Sequence, residues 1–295
     1  MKGELVKVIT SDGLELKGFF SDQKSAIAIL HFHGTSGDFY THEFVEIEGE
    51  KLAKEKISFL TANNRGHDVY ADIRKHKNGK VEWTQIGGGF EKFEDCLMDI
   101  DVWVNFLTKR GVKKIILQGH SLGPNKNIYY QSIKNNKYVT GFIHMSPQND
   151  AGLMKSKLGD EKYIKVNSII QQMINNDRGN EVLEKELQEL CPISALSYSG
   201  YFIENGAGNL FPYHNPDNKN WEILYKIEES QLLIFGSEDP YIKPSVIKAI
   251  DVFESKINKL SQLKSNIING ASHSYLGYEK ELVKVIFSWI KENYL

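Results

Sequence analysis

An α/β fold with a mostly parallel central sheet follows from three features of this 295-residue chain. Short continuous apolar runs recur along it, each of strand length and apolar enough to lie buried on both faces. Stretches with a 3.6-residue apolar period separate several of them. A period-two alternation opens the chain, as in a hairpin. Strands alternating with helices form βαβ units, and their crossovers favour parallel pairing.

The elements fall in order. Val6-Lys7-Val8-Ile9-Thr10 and residues 14–20 alternate around the turn Ser11-Asp12-Gly13 and form the opening antiparallel hairpin. Ala26-Ile27-Ala28-Ile29-Leu30 is the first buried strand, and residues 57–62, 114–117 and 139–145 supply three more. Phe90, Phe93, Leu97, Ile100, Val104 and Leu107 make one stripe of a long amphipathic helix, with Gly111 placed to cap its end. Residues 232–235 and 265–268 are the last strands, and Leu282, Val285, Ile286, Trp289 and Ile290 mark a closing helix. Buried-strand runs are missing from 151–229, which carries a helix-like segment (166–174), a charged one (181–190) and an aromatic, Gly/Asn-rich one. The expected organisation is a core over 1–150 and 230–295, with 151–229 inserted as a lid.

Composition narrows the function. The chain is 41% hydrophobic and 25% charged, which suits a packed globular protein rather than a disordered one. With 36 basic and 38 acidic residues it has no cationic excess to attract a nucleic-acid backbone. Cys96 and Cys191 fit neither zinc spacing nor a disulfide framework. No apolar run reaches signal-peptide or membrane-spanning length, so the expectation is a soluble, reduced, cytoplasmic protein.

The strongest chemical signal is Ile115-Ile116-Leu117-Gln118-Gly119-His120-Ser121-Leu122-Gly123, a buried strand running into G-x-S-x-G with a helical pattern after it. Small residues flank such a serine because the strand-to-helix turn is strained and tightly packed. A serine hydroxyl needs a base, and the base an orienting acid, in the chain order Ser, Asp/Glu, His. Leu233-Ile234-Phe235-Gly236-Ser237-Glu238-Asp239-Pro240 ends a strand in a turn with two carboxylates, of which Asp239 is the expected acid. Glu238 is an alternative, since adjacent side chains diverge and only one can face the imidazole. Asp150 is a weaker alternative. His273, in Asn269-Gly270-Ala271-Ser272-His273-Ser274, is the expected base. All three groups would lie beyond carboxyl ends of strands, where open parallel sheets bind ligands.

An oxyanion needs donors too. The backbone N–H of Leu122 is one, and the loop His31-Phe32-His33-Gly34-Thr35-Ser36-Gly37 offers another, from Thr35 ahead of Gly34. His31 and His33 also raise a metal site, but Thr35 and Ser36 stand where further ligands would be needed, so neither a metal nor a cofactor is expected.

The order HFHG, NNRGHD, GHSLG, FGSEDP, GASHS resembles the α/β-hydrolase superfamily over nearly the whole chain. Residues 90–123 are similar to a microbial branch of serine hydrolases related to siderophore and other small-ester esterases. That resemblance implies an eight-stranded sheet, a helical lid and a triad of Ser121, Asp239 and His273. Pro124 and Asn125 depart from it, since small residues usually follow the motif, and so does Glu229-Ser230-Gln231, where proline is frequent. Pro124 falls in a first helical turn, where proline is tolerated.

Other residues have blander readings. Arg65 is expected to brace loops rather than touch substrate. Gly87-Gly88-Gly89 lacks a phosphate-binding pattern and reads as a flexible loop. His120 reads as packing, neither cysteine has a basic neighbourhood to activate it, and His42, His76, His144 and His214 show no partner spacing. Tyr198, Tyr201, Phe202, Phe211, Tyr213, Trp221 and Tyr225 could line an apolar substrate site, but packing of the lid on the core is the first reading. The expected activity is cleavage of a small-molecule carboxylic ester through an acyl-enzyme. Amide cleavage (with Glu181, Glu184 or Glu186 anchoring an amine), acyl transfer or thioester cleavage are alternatives on the same triad. A hydrolase-fold protein that binds without turnover is another.

Overall fold

The structure, a computed structural model, describes residues 1–188, 191–258 and 262–295. Among these, one eight-stranded sheet is built from β1 (Glu4–Ile9), β2 (Glu15–Ser21), β3 (Ile27–Phe32), β4 (Ser58–Ala62), β7 (Lys114–His120), β8 (Val139–Met145), β9 (Ser230–Gly236) and β10 (Leu263–Ile268). Their spatial order is β1-β2-β4-β3-β7-β8-β9-β10. β1/β2 and β2/β4 pair antiparallel and every later pair is parallel, so this is the α/β sheet that the run pattern predicts.

Period-two side-chain alternation divides the core between the two faces. Leu30, Ile115, Leu117 and Phe142 point into one layer with α2 (Cys96–Lys109), α3 (Gly123–Lys134) and α8 (Val246–Lys256). Ile29, Ile116, Ile143 and Ile234 point into the other, against α1 (Glu43–Lys54) and α9 (Glu279–Tyr294). Each such aliphatic side chain, removed from water, stabilises the fold by about 1.5–3 kcal/mol. Gly111 adopts φ +92° just past α2, the left-handed stop expected of it.

The predicted helix from Phe90 starts later, at Cys96, after a single 3-10 turn at Phe93–Asp95. Residues 90–92 are held out of the helix because Glu91 is tied elsewhere: its N–H donates to Gly87 O, its carbonyl accepts from Ser197 Oγ, and its carboxylate pairs with Lys126. Two features escaped the apolar-run reading, α1 and an antiparallel pair β5 (Ala71–Lys77) and β6 (Lys80–Ile86). The pair is mostly exposed, with Trp83 70% accessible, so no buried run announces it.

Between β8 and β9 the chain passes through α4 (Asp150–Leu158), α5 (Asp160–Asn175), α6 (Ala195–Tyr201) and α7 (Trp221–Tyr225). Val166 and Ile170 lie on the buried side of α5. Of the charged segment 181–190, residues 189 and 190 lie outside the described residues, and the remainder forms one 3-10 turn, Lys185–Leu187. The aromatic residues divide: Tyr198, Tyr201 and Phe202 build a separate cluster with Leu122 and Phe93, and Phe211, Tyr213 and Trp221 join the main core. Tyr225 is exposed. Packing accounts for six of the seven. No helix among the described residues is long and apolar enough to cross a membrane.

Candidate active site

β7 delivers Ser121 to the carboxyl edge of the sheet, where the chain turns sharply into α3. Ser121 takes φ +63°, a left-handed conformation that L side chains adopt at a cost of about 1–3 kcal/mol. The flanking glycines are sterically required. A Cβ on Gly119 would come within 2.4 Å of the Gly123 carbonyl carbon, and one on Gly123 within 2.5 Å of Phe32 O. The turn is pinned at both ends of the serine: Ser121 N–H donates to Met145 O at 2.9 Å, and Gln148 N–H donates to Ser121 O at 3.0 Å.

His273 and Asp239 come from the loops after β10 and β9. His273 Nε2 lies 2.9 Å from Ser121 Oγ, and its Nδ1 2.7 Å from Asp239 Oδ2. The Asp239 side chain is fully buried and its other oxygen accepts from Tyr241 N–H at 3.0 Å, which fixes its rotamer. With the carboxylate on Nδ1, the proton of the neutral ring sits there and Nε2 faces the serine as an acceptor. Glu238 points into solvent, and Asp239 is the carboxylate of the two that meets the His273 ring. Asp150 makes no hydrogen bond to His273. It heads α4, buried, with neither carboxyl oxygen hydrogen-bonded, and burial raises it to about 7.

The loop after β3 runs beside this turn because β3 and β7 are neighbours. A Cβ on Gly34 would meet Ser121 Cβ at 2.5 Å and Oγ at 2.9 Å, so this backbone passes directly against the nucleophile candidate. Thr35 Oγ1 donates to Gln148 Oε1 at 3.1 Å, and Gln148 in turn holds the Ser121 carbonyl. Leu122 is the N-cap of α3, which leaves its N–H outside the helical ladder.

The remaining sequence readings resolve into contacts. Arg65 is a brace: buried, it grips both oxygens of Asp99 and reaches Asp12 and Asp95. The three glycines are packed rather than flexible. Their N–H groups donate to Arg65 O, Asp68 O and Val69 O, and a Cβ on Gly88 would strike Ser36 Oγ at 2.4 Å. His31 meets Gln118 Nε2 at 3.0 Å, which also donates to the buried Glu48, a carboxyl that burial raises to about 8. His33 lies between Gly34 O and Asn64 N–H. Partners absent from the sequence spacing appear for His214 (Glu204 and Asn149), His144 (Gln231), His76 (Glu15) and His42, whose ring packs edge-on against His120. Burial pushes the thiols of Cys96 and Cys191 up, away from reactivity. Asn125, the departure beside the serine motif, donates from Nδ2 to Gln148 O and Gly208 O and so ties the insertion to α3. Pro124 sits in the first turn of that helix.

A mostly parallel eight-stranded sheet, with the serine turn, acid and histidine beyond its carboxyl ends, defines an α/β-hydrolase fold. Solved structures share it. The chain is similar to Est1E from Butyrivibrio proteoclasticus with ferulic acid bound (14% identity, TM-score 0.67, covering 97% of this chain and 98% of that one). It is also similar to the esterase Pf2001 from Pyrococcus furiosus (17%, 0.62, 99% and 90%) and to the α/β hydrolase GrgF from Penicillium sp. sh18 (14%, 0.66, 99% and 99%). At such identities the likeness is one of fold. The chain matches no curated protein. Residues 84–291 match the model of a family of proteins of unknown function, DUF1749, and the chain belongs to that family.

Proposed function

We propose that this protein is a serine hydrolase that cleaves a small-molecule carboxylic ester through an acyl-enzyme on Ser121. The observation that carries this reading is the hydrogen-bonded chain Ser121 Oγ, His273, Asp239, with links of 2.9 and 2.7 Å, at a serine held in the left-handed region. Ser121 Oγ attacks the ester carbonyl carbon as His273 Nε2 takes its proton, while Asp239 steadies the resulting imidazolium. The N–H groups of Leu122 and Thr35 receive the oxyanion, each donor lowering the barrier by about 3 kcal/mol. His273 then protonates the leaving alkoxide. In the second half it deprotonates a water, which attacks the acyl carbon and releases the acid and free Ser121. Residues 151–229 act as the lid over this site. A peptide substrate would need a charged anchor for its amine, and of the three candidates, Glu181, Glu184 and Glu186, the first is already paired with Arg178 at the surface.

The test is Ser121→Ala, assayed with p-nitrophenyl esters and a fluorophosphonate probe. Loss of labelling and a fall in turnover of about a thousandfold or more, with the thermal melt unchanged, is expected. Labelling that persists in the variant would refute the nucleophile assignment.

A further inference from the structure

His120, the variable residue of the serine motif, makes a contact that the triad reading leaves unused. Its Nε2 lies 2.8 Å from the main-chain oxygen of His273. A carbonyl only accepts, so His120 donates there through Nε2–H. Its ring is buried between His42, Phe44, Tyr275 and the His273 imidazole, whose centroid is 4.9 Å away. Burial holds His120 well below the usual histidine range, which keeps it neutral beside a ring that becomes cationic during turnover.

The arrangement closes a loop of contacts. His120 and Ser121 are joined by a peptide bond, Ser121 Oγ meets the His273 ring, and His273 O returns to His120. His273 is therefore held at three points: Asp239 and Ser121 on the ring, and His120 on the backbone. Nearby backbone bonds fasten its neighbours, Ala271 N–H to Ile268 O and Tyr275 N–H to Ser272 O. Once Ser121 is acylated, its Oγ carries no proton and the Ser121–His273 hydrogen bond is gone. The ring then keeps its hydrogen bond to Asp239 and its packing against Tyr241 and His120, and the backbone keeps the bond from His120, at the stage when Nε2 must orient and deprotonate a water.

We propose that His120 is a positioning residue for deacylation, holding the His273 backbone in place while Ser121 is esterified. The inference rests on the acyl-enzyme reading above. It predicts an uneven effect on the two half-reactions, which a role in packing alone would not produce.

The experiment separates the halves in His120→Phe, His120→Gln and His120→Asn. Formation is read as the rate of fluorophosphonate labelling of Ser121. Deacylation is read as the decay of acetyl-Ser121, made with p-nitrophenyl acetate, freed of excess ester and followed by intact mass spectrometry. His120→Phe keeps a ring and loses the donor, so labelling should stay within about threefold of the parent while decay slows about tenfold, the ratio for one neutral hydrogen bond. His120→Gln carries an N–H near the Nε2 position and should restore decay to within about threefold. His120→Asn is too short to reach and should behave like Phe, which supplies the comparison if Phe disturbs folding. Equal slowing of both steps, no slowing of either, or Gln as impaired as Phe and Asn would overturn the proposal. A parent protein that neither labels at Ser121 nor forms acetyl-Ser121 would instead sink the hydrolase reading on which it rests.

Discussion

Asp150→Asn should stabilise this protein, and increasingly so as pH rises. Both oxygens of Asp150 are buried without a hydrogen-bond partner, and burial lifts its pKa from 3.8 to about 7. A folded-state pKa above the unfolded one means that the folded protein holds the extra proton between those values. The favourable state is fully present below about pH 4 and is lost as pH climbs through 7. At about 1.4 kcal/mol per pH unit, the loss approaches about 4 kcal/mol by pH 8 and about 2 kcal/mol at pH 5. Asparagine matches the shape of the neutral acid and cannot ionise. With an unfolding entropy of about 2.1 cal/mol/K per residue, a chain of this length gains about 3 °C in Tm at pH 5 and about 7 °C at pH 8. Glu48, also raised by burial, is present in both proteins and cancels from the difference. Differential scanning calorimetry from pH 5 to 8.5 measures it. A Tm difference independent of pH, or a variant less stable than the parent at pH 8, would refute the reasoning.

Gly34→Ala should lower ester turnover by about a hundredfold and lower the Tm as well, because a methyl 2.5 Å from Ser121 Cβ must push the serine turn or the loop after β3 out of place; steady-state kinetics beside a melt checks both. Arg65→Lys should destabilise by about 3–5 kcal/mol, read as a lower Tm, since a single ammonium cannot grip both Asp99 oxygens while also reaching Asp12 and Asp95.

What the sequence discloses depends on how local the cause is. The parallel strands announce themselves because burial on both faces demands an unbroken apolar run, and Ile115-Ile116-Leu117 splits its side chains between two cores as that demands. Ser121 is legible because strain at one residue forces glycine at two others. Asp239 and His273 are legible as residues after strand ends, but the choice between Glu238 and Asp239 turns on which side chain faces inward. His120, Gln148 and Asn125 were not readable as site residues, since their partners lie on the loops after β10 and β3 and in the insertion. Gln118 left a trace, as a polar residue in an apolar strand. The β5/β6 pair also left one, in Asn78-Gly79, both with positive φ, a turn signal that the search for buried runs passes over.

The same packing leaves little room for added atoms around Ser121. Three backbones converge there: the loop after β3 at Gly34, the end of β7 at Gly119, and the start of α3 at Gly123 against Phe32 O. At Gly119 and Gly123 the nearest neighbours are mostly backbone, and at Gly34 the nearest is Ser121 Cβ, which is fixed to the backbone, so a misplaced atom must move an element rather than turn a rotamer. The left-handed conformation of Ser121 is sustained by Met145 O on one side and Gln148 N–H on the other, both from the chain leaving β8. Gln148 also binds Thr35, and Asn125 binds Gln148 O and Gly208 O, so the serine turn, the loop after β3 and the 151–229 segment share one hydrogen-bonded node. A displacement of the 151–229 segment would therefore reach Ser121 through Asn125 and Gln148.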